Sequence, residues 1–241
     1  MPIEAVLLDL DDTLLDERPG RAAGRRALLA VLGAARPELD LERAGAELDR
    51  QAYWFWSDEA RHAWGRLDLA TARRSVVRAT LAAVGIADDA LAEAASARYL
   101  AARDEALTWM EGAAEALLAL RAAFPRLALV TNGAADAQRA KLERFALAAH
   151  FDHVQIEGAA GFGKPLARAF HHALAALGTP AERAVMVGND FAFDVLGALA
   201  AGLEAIWLDI DGAGAPHGGA PRAFAALRSI AEVPPHLARH R

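Results

Sequence analysis

Hydrophobic and polar positions follow two different rhythms along this chain. Residues 3–9 form a short, continuous apolar run, the mark of a strand buried on both faces. From about 18 to 108, apolar positions recur at intervals of three and four, predicting helices over 21–35, 41–63, 70–84 and 87–103. Pro37, Gly65 and Gly85 punctuate this block, and Asp40, Asp68 and Asp88 stand where helix N-caps are needed. After Trp109, apolar runs return at 126–133, 151–156, 183–190 and 204–210, separated by helix-patterned segments at 112–124, 134–147, 165–178 and 192–202. Such alternation predicts an α/β fold: a Rossmann-like parallel sheet with right-handed crossovers, flanked by helices. The helical block is then an all-helical domain, 17–108, inserted after the first strand of a core made of 1–16 and 109–241. From 212 onward the pattern reads as a loop, a short helix over 221–231 and a loose end.

Composition narrows the function classes. With 241 residues, 54% of them hydrophobic, the chain can bury a large core and a smaller domain besides. Net charge is −6 and no basic run stands out, which argues against a nucleic-acid partner. The absence of cysteine excludes disulfides and thiolate metal sites. No uncharged apolar run reaches spanning length, so no membrane partner is expected, and the absence of a leader pattern before the first strand predicts a cytoplasmic protein.

The first strand raises the chemical question. It runs into Asp9-Leu10-Asp11-Asp12-Thr13, and like charges ~4 Å apart at an effective dielectric near 20 cost about 4 kcal/mol per pair. A cation belongs there, or chemistry does. In an open parallel sheet, ligands gather at the carboxyl ends of the strands. The other strand ends carry Thr131-Asn132-Gly133 and Gly188-Asn189-Asp190, with Asp194 four residues on, while the loop "GFGKP" offers Lys164. The chain has only two asparagines, Asn132 and Asn189, and only two lysines, Lys141 and Lys164. Both asparagines and Lys164 fall at these loop positions, where Arg could not replace a compact ammonium; Lys141 has no such context and reads as a surface residue.

The motifs "DLDDTL", "VTNG", "GKP" and "GNDFAFD", in this order and on these elements, resemble the haloacid dehalogenase (HAD) superfamily, specifically its phosphatases with an inserted helical cap. The resemblance covers essentially the whole chain. It implies a Mg²⁺-dependent phosphomonoesterase that forms an aspartyl phosphate on Asp9, with Asp11 as general acid and then base. Thr131 and the amides around Asn132 and Gly133 would hold the phosphoryl oxygens, and Lys164 would neutralise their charge. The metal would be held by Asp9, the backbone carbonyl of Asp11 and Asp190, supported by Asp194. Gly188-Asn189-Asp190 leaves open which side chain meets the ion; the spacing of Asp190 to Asp194 favours Asp190. Asp12 is read as a turn residue.

The substrate implied is a small phosphorylated metabolite such as a sugar phosphate or nucleotide. On one continuous helix, Trp54, Asp58, Arg61 and His62 share a face suited to choosing it, with Trp54 and Arg61 the leading candidates; Tyr53, Trp56, Ala60 and Trp64 form the packed stripe. A response-regulator receiver would not carry a ninety-residue helical insertion. A metal-free 2-haloacid dehalogenase, which lacks the second aspartate, a phosphomutase and a non-catalytic relative are the alternatives.

Overall fold

A computed structural model describes residues 2–215 and 224–239. The chain divides into two compact units, one of Met1–Asp16 with Trp109–Arg241, the other of Glu17–Thr108.

The first unit is built on a parallel sheet of six strands: β1 (Ala5–Leu8), β2 (Arg126–Thr131), β3 (His153–Ile156), β4 (Ala184–Gly188), β5 (Glu204–Leu208) and β6 (Ala225–Leu227). Their order is β3-β2-β1-β4-β5-β6. The chain moves outward from β1 to β3 and then returns to β4 on the other side, so the topological switch point lies beside β1. Leu8 is level with Leu129 and Val187, and the Asp9 amide donates to the Val187 carbonyl at 3.0 Å. The ends of β2, β1 and β4 therefore deliver Thr131, Asp9 and Asn189 at neighbouring positions. Beneath them Leu7, Val130, Met186, Phe170 and Val195 form a closed apolar core, which fixes the height of every strand end.

The run expected to be a short helix at 221–231 is partly outside the described residues, and what is described differs: Ala225–Leu227 is the edge strand β6, paired with β5. Three residues with one partner strand carry too little periodicity to be told from a helical turn.

The Glu17–Thr108 unit is all helical: α1 (Arg18–Ala35), α2 (Leu41–Trp56), α3 (Glu59–Gly65), α4 (Leu69–Ala83) and α5 (Asp89–Glu105). Asp40, Asp68 and Asp88 cap α2, α4 and α5 through the amides of Arg43, Thr71 and Leu91. Helices α1 and α5 pack tightly; a Cβ on Gly24 would come within 2.9 Å of Tyr99, so only glycine fits this crossing.

The helix expected over 41–63 is two helices. Asp58 accepts from the Arg61 amide at 2.8 Å and caps α3, breaking the chain after Trp56. An apolar period of 3.6 running through the break hides it, since the cap residue also fits the helical spacing. Upstream of the break, the packed face of α2 also differs from the expected stripe. Phe55 is 2% exposed and belongs to the unit's core with Leu28, Leu48, Val76 and Leu81, whereas Tyr53 is 77% exposed. Phe55→Ala should accordingly lower unfolding free energy by about 3 kcal/mol or more, and Tyr53→Ala by less than about 0.5 kcal/mol. Urea unfolding of both variants checks this; equal losses would contradict the assignment.

Candidate active site

Asp9 leaves the buried end of β1 and is itself buried. Its Oδ1 lies 2.6 Å from Lys164 Nζ, and the same ammonium lies 2.6 Å from Asp194 Oδ1. One buried cation thus serves two buried carboxylates. Burial opposes the Lys164 cation, but Asp194 and Asp9 outweigh that and hold its pKa above the ordinary lysine value. Burial raises Asp9 to about 7, with Lys164 opposing and Asp194 adding to the rise.

Lys164 is placed by Asn132. The amide of Asn132 grips the lysine backbone at two points, Nδ2 donating to the Lys164 carbonyl at 2.7 Å and Oδ1 accepting from the Lys164 amide at 2.8 Å. Asp194 is placed by the turn after β4, where its Oδ2 accepts the Asp190 amide at 2.9 Å. A Cβ on Gly188 would overlap this carboxylate, so the strand must end in glycine for Asp194 to reach Lys164.

Asn189 and Asp190 point to different tasks. Thr13 Oγ1 lies 3.4 Å from Asp9 Oδ2 and 3.3 Å from Asn189 Oδ1. Asp190 is exposed, and its Oδ1 accepts the amides of Ala192 and Phe193, capping the helical turn Phe191–Leu196. Asp12 has φ 55° and its amide closes a turn onto Leu15.

Asp11 is held by two residues of α7 (Ala135–Arg144, the second helix of the first unit after α6, Ala113–Ala123). Lys141 Nζ lies 2.7 Å from Asp11 Oδ1, and Gln138 Nε2 donates to Asp11 Oδ2 at 2.9 Å. Lys141 is buried, so its reading as a surface residue is corrected. Gln138 was missed as well; its Nε2 also reaches Thr131 Oγ1 at 2.6 Å and the Asn132 carbonyl at 2.9 Å, tying the ends of β1 and β2 together. The signal was present in the i, i+3 spacing of Gln138 and Lys141 and in the scarcity of lysine, which applied to both lysines. Thr131 is buried beside this amide. Gly133 donates its amide to Glu157 Oε2 at 3.0 Å, so that amide brings no free donor to a phosphoryl group.

Trp54 and Arg61, the residues expected to choose the substrate, belong to the helical unit and meet each other. The Arg61 guanidinium lies 3.7 Å over the Trp54 ring, donates to the Trp54 carbonyl at 2.8 Å and pairs with Asp58 at 3.8 Å. This is a staple across the α2–α3 corner.

A family model for haloacid dehalogenase-like hydrolases matches residues 3–202. The chain belongs to the haloacid dehalogenase-like hydrolase family. It is 36% identical to the phosphoserine phosphatase of Thermus thermophilus over 86% of this chain and 89% of that protein. It is 31% identical to the glyceraldehyde 3-phosphate phosphatase of Methanothermobacter thermautotrophicus, covering 85% and 84%. Among solved structures, the magnesium-bound HAD hydrolase YfnB of Bacillus subtilis aligns with a TM-score of 0.75 at 21% identity, over 98% of this chain and 99% of that one, which shows a shared fold. The protein is a HAD-like hydrolase whose named relatives are phosphatases. Among the described residues no helix is long and apolar enough to cross a membrane.

The pairing with Asp11 puts Lys141 to a direct test. Lys141→Arg and Lys141→Met should each lower phosphatase kcat/KM at least tenfold, about 1.4 kcal/mol, because neither leaves a compact ammonium against Asp11. Steady-state kinetics check this, and full activity of Lys141→Arg would reduce the residue to filler.

Proposed function

We propose that this hydrolase is a Mg²⁺-dependent phosphomonoesterase that works through an aspartyl phosphate on Asp9 and acts on a small phosphorylated metabolite. The observation that carries the reading is the division of labour between two aspartates two residues apart. Asp9 is buried and held on Lys164, while Asp11 is a third exposed and held on Lys141 and Gln138. One is shaped to attack and the other to exchange a proton.

A divalent ion fits the residues present. Thr13 has one hydroxyl proton for two oxygens, Asp9 Oδ2 and Asn189 Oδ1, so one of them lacks a donor. Asp9, Asp194 and Lys164 together leave an excess of negative charge. Mg²⁺ keeps several waters and takes one or two carboxylates, so it can be held by Asp9 with neutral oxygen donors beside it. Asp9, Asn189 and the backbone carbonyl of Asp11 would hold it. Asn189 replaces Asp190, whose carboxylate is turned to its helix cap, and Asp194, engaged through both oxygens, supports Lys164. When bound, the ion neutralises the carboxylates and polarises the phosphoryl oxygens.

The chain's own groups do the rest. An Asp9 oxygen forms the bond to phosphorus as the ester oxygen leaves, and Asp11 gives that oxygen its proton. Water then attacks phosphorus, Asp11 takes the water proton, and the Asp9–phosphorus bond breaks to release inorganic phosphate. For the first step Asp11 starts protonated; the Lys141 ammonium then stabilises the carboxylate that this step leaves, which is the base for water in the second. Lys164 and Thr131 face the developing charge on the phosphoryl oxygens, a preorganised arrangement that needs no movement at the moment of transfer.

Phosphate release from a panel of phosphorylated metabolites, measured after chelation and after Mg²⁺ is restored, tests this reading. The chelated protein should be inactive and recover with the ion, and Asp9→Asn should stay at background while remaining folded. A full rate after chelation would overturn the metal dependence, and an active Asp9→Asn would overturn the nucleophile.

A further inference from the structure

The helical unit holds a cavity of about 320 Å³ whose lining is unusual in charge. Three guanidiniums, those of Arg21, Arg73 and Arg103, face it with a single carboxylate, Glu17. Glu17 pairs with Arg103 at 2.5 Å. Arg73 is different: its guanidinium lies 3.7 Å over the ring of Tyr99, and among the described residues no carboxylate stands within ion-pairing distance of it. Stacking fixes the plane of the fork and leaves its edge donors directed along that plane, the geometry that grips a carboxylate or phosphate at two points. The remaining walls come from Trp56, Leu69 and Leu100, which are apolar, and from the His62 ring.

We propose that this cavity is a binding site for a small organic anion, its charged head on the Arg73 fork and its body against Trp56 and Leu100. Cation–π stacking alone is a poor reason to desolvate a guanidinium, since an unpaired charge loses more hydration than a ring returns. Burial, partly countered by Tyr99 and reinforced by Arg103, holds Arg73 below the usual arginine value, so a bound anion would relieve an existing cost. None of the groups assigned to phosphoryl transfer lies in this cavity, so the site is additional to the phosphatase reading.

Titration calorimetry of the full chain with benzoate and with benzamide, matched in shape but not in charge, tests the site without turnover. Failure of the phosphatase reading would therefore leave this result standing. Benzoate should bind at least tenfold more tightly than benzamide, Arg73→Met should erase the difference, and Arg73→Lys should recover part of it. Equal binding of the two probes, or a preference that survives Arg73→Met, would overturn the proposal. If circular dichroism shows Arg73→Met unfolded, Arg73→Lys decides: a several-fold loss of benzoate affinity supports the fork, and unchanged affinity overturns it. Inhibition kinetics then separate the sources of the anion. Benzoate that competes with a phosphorylated carboxylic acid identifies the head group as the substrate's own, and benzoate that lowers kcat without competing identifies a separate ligand; both support the site.

Discussion

One ammonium between two buried carboxylates governs the rest of the first unit. Lys164 sits 2.6 Å from both Asp9 and Asp194, and breaking such a buried pair by removing one partner typically costs ~3–5 kcal/mol. The surrounding sequence is arranged to hold that cation in place. Asn132 clamps the lysine backbone, Gly188 clears the space that Asp194 occupies, and the Asp190 amide fixes the other oxygen of Asp194. Removing any of these would loosen the seat of the cation and its two carboxylates.

A second cation, Lys141, repeats the arrangement nearer solvent. It pairs with Asp11, so two aspartates separated by one leucine experience different surroundings. Asp9 faces burial and a lysine shared with Asp194; Asp11 faces Lys141 and the Gln138 amide. Carboxylates in unlike environments are what acid–base and nucleophilic roles require of two otherwise identical side chains. Gln138 ties this pair to Thr131, so the ends of β1 and β2 move as one piece.

The sheet and its strand ends were legible because buried parallel strands are written as continuous apolar runs, and a charge at the end of such a run has few other uses. Scarcity of lysine and asparagine singled out Asn132 and Lys164, which the fold brings together beside Asp9. The same clue applied to Lys141 and was outweighed by its helical, charged neighbourhood; that α7 turns this residue toward Asp11 is a tertiary fact. Spacing alone could not tell Asn189 from Asp190, since adjacent residues leaving a strand differ only in direction. The α2–α3 break was hidden because Asp58 fits both a helical face and an N-cap. Within α2 the packed stripe was assigned to Tyr53 where Phe55 fills it, and the charged cavity around Arg73 lay outside the stripes because Glu17, Arg73 and Arg103 come from three different helix neighbourhoods.

Covalent capture tests the central claim that Asp9 is the attacking group most directly. The protein is mixed with a phosphorylated metabolite that it turns over, quenched in acid and digested, and its peptides are weighed. The account predicts the mass of one phosphoryl group on the peptide that carries Asp9, more of it in Asp11→Asn, where water has lost its proton acceptor, and none in Asp9→Asn. A phosphoryl group found on another residue, or turnover with no label at all, would contradict it.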